Sequence, residues 1–153
     1  MFESYRRFIP LNLPLLDLII KTPIIIADVL IAILVYKLIK SISNEKNARY
    51  AYWAWLLNPY VIMISSVWGV FDPIPSLLIL LSIYYLINNK SIKSALMLSI
   101  GLLFKLYPII LIPIFAMIVS KRNKKIGRAL KYCLICGTVV LITVFTTYFA
   151  FAL

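Results

Sequence analysis

The strongest constraint on this chain is the alternation of long apolar runs with short clusters of lysine and arginine along all 153 residues. Hydrophobic residues make up 63% of the sequence and the mean hydropathy is +1.00, more apolar surface than a soluble domain of this size can hide from water. Lipid must solvate it. A membrane-crossing helix needs about 20 mostly apolar residues, which leaves room for about five or six short spans and little else. The expected fold class is therefore all-α, one polytopic transmembrane helical bundle over residues 1–153.

The net charge of +11 does not point to nucleic acid. A nucleic-acid binder gathers its cations on a water-facing surface, whereas here they punctuate the apolar runs, as topology signals do. The stretch Met1 to Arg7, followed by Phe8-Ile9-Pro10, lacks the continuous apolar core and cleavage site of a signal peptide. Cys133 and Cys136 form a CxxC inside an apolar helix of a chain without histidine. With no further ligand for zinc, they read as two small apolar residues on a helix face.

Spans are expected at about residues 22–40, 50–67, 75–88, 94–105, 107–120 and 129–152. The first opens at Pro23, a first-turn position, and closes at Lys37 and Lys40. The stretch Ser94 to Val119 could be one long span or a helical hairpin turning at Lys105-Leu106-Tyr107-Pro108. Charge favours the hairpin. It puts Lys37, Lys40, Lys46, Arg49, Lys90, Lys93, Lys121, Arg122, Lys124, Lys125, Arg128 and Lys131 on one side, the cytoplasmic side by the positive-inside bias. Each arm would then be under about 20 Å long at 1.5 Å per residue, short of the roughly 30 Å hydrocarbon core. The turn should sit below the outer surface, where broken helical hydrogen bonding is tolerated only against protein or a wet cavity. The amino-terminal residues 1–21, with Leu11, Leu13, Leu15, Leu16, Leu18, Ile19 and Ile20 interrupted by Pro10, Pro14 and Asp17, read as a segment lying in the outer interface. The amino terminus is thus extracytoplasmic.

Lys105 is the foremost candidate functional residue, because a cation at a membrane-buried turn is costly and calls for an anion such as phosphate. The bland alternative is a lysine that snorkels and merely ends a helix. Asp72, in the outer loop Trp68-Gly69-Val70-Phe71-Asp72-Pro73, suits either an N-cap for the next helix or a pocket facing Lys105. Asp28 lies about 9 Å into the first span and needs a partner or a cavity. Lys105, Lys21 or the backbone opening at Asn58-Pro59 could serve, and structural pairing is favoured over catalysis. A general-base histidine, a glycine-rich phosphate loop and GxSxG are all absent.

In order, Lys21-Thr22-Pro23-Ile24-Ile25-Ile26-Ala27-Asp28, Leu57-Asn58-Pro59, Trp68-Gly69-Val70-Phe71-Asp72 and Phe104-Lys105-Leu106-Tyr107-Pro108 resemble a known set. They look like the polyprenyl-phosphate-sugar-dependent glycosyltransferases of the GT-C superfold, especially the mannosyltransferases, over roughly residues 21–119. The resemblance implies transfer of a sugar, mannose above all, from a polyprenyl-phosphate carrier in the membrane to an extracytoplasmic acceptor, with inversion. Lys105 matches the lysine of the turn and Asp72 the outer-loop aspartate. With Tyr107 of the same turn they are the implied substrate-binding residues, and Asp28 and Asn58 the pocket or structural ones. No catalytic base can be matched, because the long outer loop that carries it in the family has no counterpart here. This implies part of such an enzyme: a truncated gene product, a split subunit whose fold a second membrane chain completes, or a decayed copy. No cofactor is expected; a divalent cation suits the reaction class, but nothing in the sequence indicates one. From a different class, a non-catalytic membrane subunit or small transporter would use Asp28 and Lys105 as a structural or conducting pair.

Overall fold

A computed structural model describes residues 13–68, 71–123 and 126–152. Met1 to Asn12 of the expected interfacial segment, Gly69 and Val70 of the outer loop, Lys124 and Lys125, and Leu153 lie outside them. The described residues form helices without a strand: α1 (Leu13–Ile42), α2 (Glu45–Leu56), α3 (Pro59–Ile62), a π-helical turn (Met63–Trp68), α4 (Pro73–Ile87), α5 (Ser91–Phe104), a 3-10 turn (Tyr107–Ile110), α6 (Leu111–Asn123) and α7 (Ile126–Ala152).

Helix α1 begins upstream of the expected Thr22, so Pro23 lies inside it rather than opening it. Proline deletes one backbone donor, a loss that long apolar helices tolerate when neighbouring groups take up the freed bonds. Just before it, the Thr22 hydroxyl donates to the Leu18 carbonyl at 2.6 Å. The helix stops short of Asn44, which caps α2 by accepting from the Asn47 amide at 2.9 Å. In the first turn of α2, Glu45 meets Arg49 at 2.8 Å and Lys40 at 3.5 Å. The Arg49 hydrogen bond first, and Lys40 with it, hold this exposed carboxyl below its usual range.

The single span expected over residues 50–67 is instead broken in two. Pro59 disfavours a helical Asn58, which is extended and caps α3 through its own side chain, accepting from the Tyr60 amide at 2.9 Å. The chain then passes through the π-helical turn, a rare form that recurs at functional sites.

Helices α4 and α5 form a tight hairpin. Its turn uses Asn89 in the left-handed region, φ 61°, and closes with the Lys90 amide on the Tyr85 carbonyl at 2.8 Å. Asn89→Gly should therefore leave stability unchanged or slightly raised, whereas Asn89→Val should cost about 1–2 kcal/mol in an unfolding titration. Small residues on α5, among them Ser94, Ala95, Ser99 and Gly101, are buried and let the neighbouring backbones approach. A β-carbon on Gly101 would already lie 3.4 Å from Leu78 Cβ. Hydroxyls tie three helices together: Ser82 Oγ donates to the Ser94 carbonyl at 2.8 Å, and Ser94 Oγ lies 3.1 Å from Tyr132 Oη.

After Phe104 the helix ends on an extended Lys105, and the chain reverses. Helix α6 returns so that Arg122 donates to the carbonyls of Leu86 and Ile87 at 3.1 and 3.3 Å, beside the α4–α5 turn. Phe115, Ala116 and Val119 then share a core with Leu86, Ala95, Leu98, Tyr132 and Cys136. Of the two cysteines, Cys136 is buried with its thiol facing the Ala95 carbonyl, while Cys133 is exposed. One end of the bundle gathers the cations: Lys37 and Lys40 flank Asn88, and Arg122, Arg128 and Lys131 surround Ser91.

Two helical stretches, Leu18–Ile42 and Ile126–Phe149, are long and apolar enough to cross a membrane, and two shorter helices, Pro73–Ile87 and Ser91–Phe104, are also apolar. The apolar window of α7 is only 11% buried; a core helix of a soluble protein is mostly covered. Leu134, Leu141, Val144, Phe145 and Phe149 all stand exposed along it. A helix of this kind requires a hydrocarbon solvent, and the chain is a membrane protein.

Candidate functional site

At the end of the bundle away from the gathered cations, three stretches of the chain converge on one cleft of about 290 Å³. Helix α1 supplies Asp28, the end of α2 supplies Trp55, and the Asn58-Pro59 break with its following turn supplies Asn58, Tyr60, Val61 and Ile64. The start of α4 supplies Asp72, Pro73 and Ser76. Asn58 is placed here because proline forces the break, and Asp72 because Pro73 begins a helix at the next residue.

Asp72 occupies the N-cap position of α4, but its side chain makes no capping bond. It forms an ion pair with the Lys105 ammonium, across the gap between α4 and the α5 terminus. One turn on, the Ser76 hydroxyl donates to the Asp72 carbonyl at 2.9 Å. The same hydroxyl lies 3.4 Å from the Tyr107 phenol. Lys105 and Tyr107 are thereby joined, through Asp72 and Ser76, to the lining of the cleft that Asp28 and Asn58 share.

Lys105 therefore pairs with Asp72, not with Asp28. The Asp28 side chain is buried, and neither of its carboxylate oxygens has a hydrogen-bond partner among the described residues. Ser65 and Trp55 are the polar side chains that reach towards it, without closing to hydrogen-bond geometry. The Ser65 proton is committed to the Val61 carbonyl at 2.7 Å, and Trp55 Nε1 also lacks a partner.

Trp55, Ser65 and Ser76 escape a reading of the sequence alone. Ser76 carries a usable signal, since four residues after Asp72 it shares that residue's helix face. Trp55 carries none, because α2 and the break after it read as one continuous span. Among the described residues no three His, Cys, Asp or Glu side chains gather as a metal site. The arrangement offers a cation beside an open cleft, carboxylates at two depths and an amide between them, a chemistry suited to an anionic group at the rim and a polar neutral one inside.

No solved structure matches the chain. GPI mannosyltransferase 1 of Debaryomyces hansenii is 38% identical over 96 residues, 58% of this chain and 23% of that protein. Its namesake in Candida albicans is 36% identical over 91 residues, with the same coverage of each. That of Saccharomyces cerevisiae is 31% identical over 106 residues, 68% of this chain and 26% of the relative. The chain spans about a quarter of the length of these curated relatives. The family described as GPI transamidase subunit PIG-U matches residues 3–153, nearly the whole sequence, and the chain belongs to that family.

Proposed function

We propose that this chain binds a polyprenyl-phosphate-linked sugar, mannose, at the Asp72–Lys105 cleft and takes part in its transfer to an extracytoplasmic acceptor. The observation that carries the reading is the convergence of three stretches of the chain on one cleft with a cation beside it. The relatives' name, GPI mannosyltransferase 1, supports the sugar and the reaction class. In this reading α1 and α7 cross the membrane, with the broken segment of α2, α3 and the π-helical turn and the helices α4, α5 and α6 as shorter crossings beside them. The cationic end faces the cytoplasm, and the cleft opens on the far side.

The chemistry follows from the groups present. An acceptor oxygen forms a bond to the anomeric carbon, the bond from that carbon to the carrier phosphate breaks, and its electron pair leaves with the phosphate. The Lys105 ammonium neutralises the charge gathering there. Asp72 holds Lys105 at the rim before the carrier arrives and shapes the sugar pocket, with Tyr107 and Asn58 lining its approach. The acceptor proton passes to a base other than Asp72, which Lys105 engages.

A second reading rests on the family match itself, which is described as a subunit: the same cleft holds a glycolipid without transferring its sugar. Membranes carrying the chain and supplied with polyprenyl-phosphate-linked radiolabelled mannose separate the two. Transfer of label to lipid acceptor supports the first reading, and retention of the carrier without transfer supports the second. If the chain neither transfers nor retains it, the cleft has no such ligand. Labelling of single cysteines placed at residues 72 and 122 should find them on opposite sides of the bilayer.

A further inference from the structure

Deep in the cleft, Asp28 is 6% exposed, and both of its carboxylate oxygens lack a hydrogen-bond partner among the described residues. Trp55 Nε1, on the wall of the same cleft, is a buried donor in the same condition. Buried polar groups are nearly always paired, so acceptors and a donor left together facing one cavity specify the ligand that would satisfy them. Ser65 does not close the gap, because its hydroxyl hydrogen is given to the Val61 carbonyl.

The required ligand must donate to the carboxylate and accept from the indole. An ammonium donates but cannot accept, and a phosphate accepts but is repelled by the carboxylates of Asp28 and Asp72. A hydroxyl does both, and a ring hydroxyl can take the place of a water that does the same. The two oxygens of one carboxylate match two neighbouring hydroxyls, and a cleft of about 290 Å³ lies at the lower end of small-ligand sites.

We infer that Asp28 and Trp55 form a subsite for the vicinal diol of a polyhydroxylated ring. The inference rests on the proposed function for the place of that ring, which sits inside the cleft while its phosphate lies at Lys105. Asp28 is then a positioning residue for the sugar instead of half of a structural charge pair.

The test uses the full chain in lipid nanodiscs with three calorimetric probes: a neutral alkyl mannoside, its analogue lacking one of two adjacent hydroxyls, and sugar-free polyprenyl phosphate. The intact protein should bind the mannoside about tenfold or more tightly than the deoxy analogue, the ratio expected for a hydrogen bond to a charged group. In Asp28→Asn, which keeps the shape of the side chain, and in Trp55→Phe, that ratio should shrink towards one, while affinity for polyprenyl phosphate changes less than about twofold. Lys105→Ala should give the opposite pattern, losing the phosphate probe and keeping the ratio between the glycosides. Discrimination that survives in either cleft variant overturns the diol subsite. Phosphate binding that survives Lys105→Ala overturns the carrier reading and leaves the diol result standing. Should Asp28→Asn misfold, Trp55→Phe and the glycoside ratio of the intact protein decide the matter alone.

Discussion

On the proposed function, replacing Lys105 by alanine is expected to lower mannose transfer from a polyprenyl-phosphate donor by about a hundredfold or more, the loss typical of removing one preorganised group that meets developing charge. The protein should stay folded. Both partners of the Lys105–Asp72 ion pair are about half exposed, at 45% and 44% of their side chains, and such a pair is worth about 0–1 kcal/mol after solvent screening. Activity and stability therefore part company in this variant. Lys105→Arg should retain a substantial fraction of transfer, because the charge remains near the rim. Exchanging the two charges, Asp72→Lys with Lys105→Asp, should restore the ion pair but not the transfer, because a phosphate must be met from the α5 terminus. Full activity in the alanine variant, or rescue by the exchanged pair, would show that Lys105 has only a structural part.

The largest loss of stability is expected from Leu98→Ala. Leu98 has no exposed surface and stands in the core formed by α5, α6 and α7 with Phe115, Ala116, Val119, Tyr132 and Cys136. In lipid there is little hydrophobic gain from bringing helices together, so packing contacts carry the association. Deleting them without collapse of the surrounding side chains should cost about 2–5 kcal/mol. A detergent-denaturation titration of the purified protein reads this directly. Leu141→Ala on the exposed face of α7 is the comparison, with a change expected to stay within about 0.5 kcal/mol. Equal losses at the two positions would mean that α7 packs against protein through the face that carries Leu141.

Much of the architecture is legible without coordinates. An apolar chain in lipid must satisfy each backbone donor and acceptor within its own segment, so helices follow from composition and their ends from the residues that interrupt them. Pro73 opens α4, Asn88 and Asn89 turn it into α5, and Lys105 to Pro108 reverse the chain before α6. Breaks inside the helices are harder to read. Pro23 begins nothing, because α1 continues through it, while Pro59 ends what reads as one span. The same residue type acts oppositely because Asn58 supplies a cap at the second position, and the polar side chain before Pro23, Thr22, bonds back within the helix instead.

The site divides in the same way. Asp28, Asn58, Asp72, Lys105 and Tyr107 stand out singly, because polar groups within apolar runs are costly wherever they fall. Their relations are a different matter. That Lys105 meets Asp72 and leaves Asp28 alone depends on the α4 terminus lying beside the α5 terminus, and that Trp55 shares the Asp28 cleft depends on the break after Leu57.

By itself, then, the sequence determined that this protein is helical, that lipid is its solvent, and where its cations interrupt the apolar runs. Those properties follow from solvation, which each stretch of residues meets locally. Only the tertiary structure decided which charges face each other and which polar groups are left unpaired around a cleft. Contacts between residues dozens of positions apart depend on how helices pack, and helix packing is settled by small residues such as Ala95 and Gly101 and by their neighbours, with no local signature that names the partner.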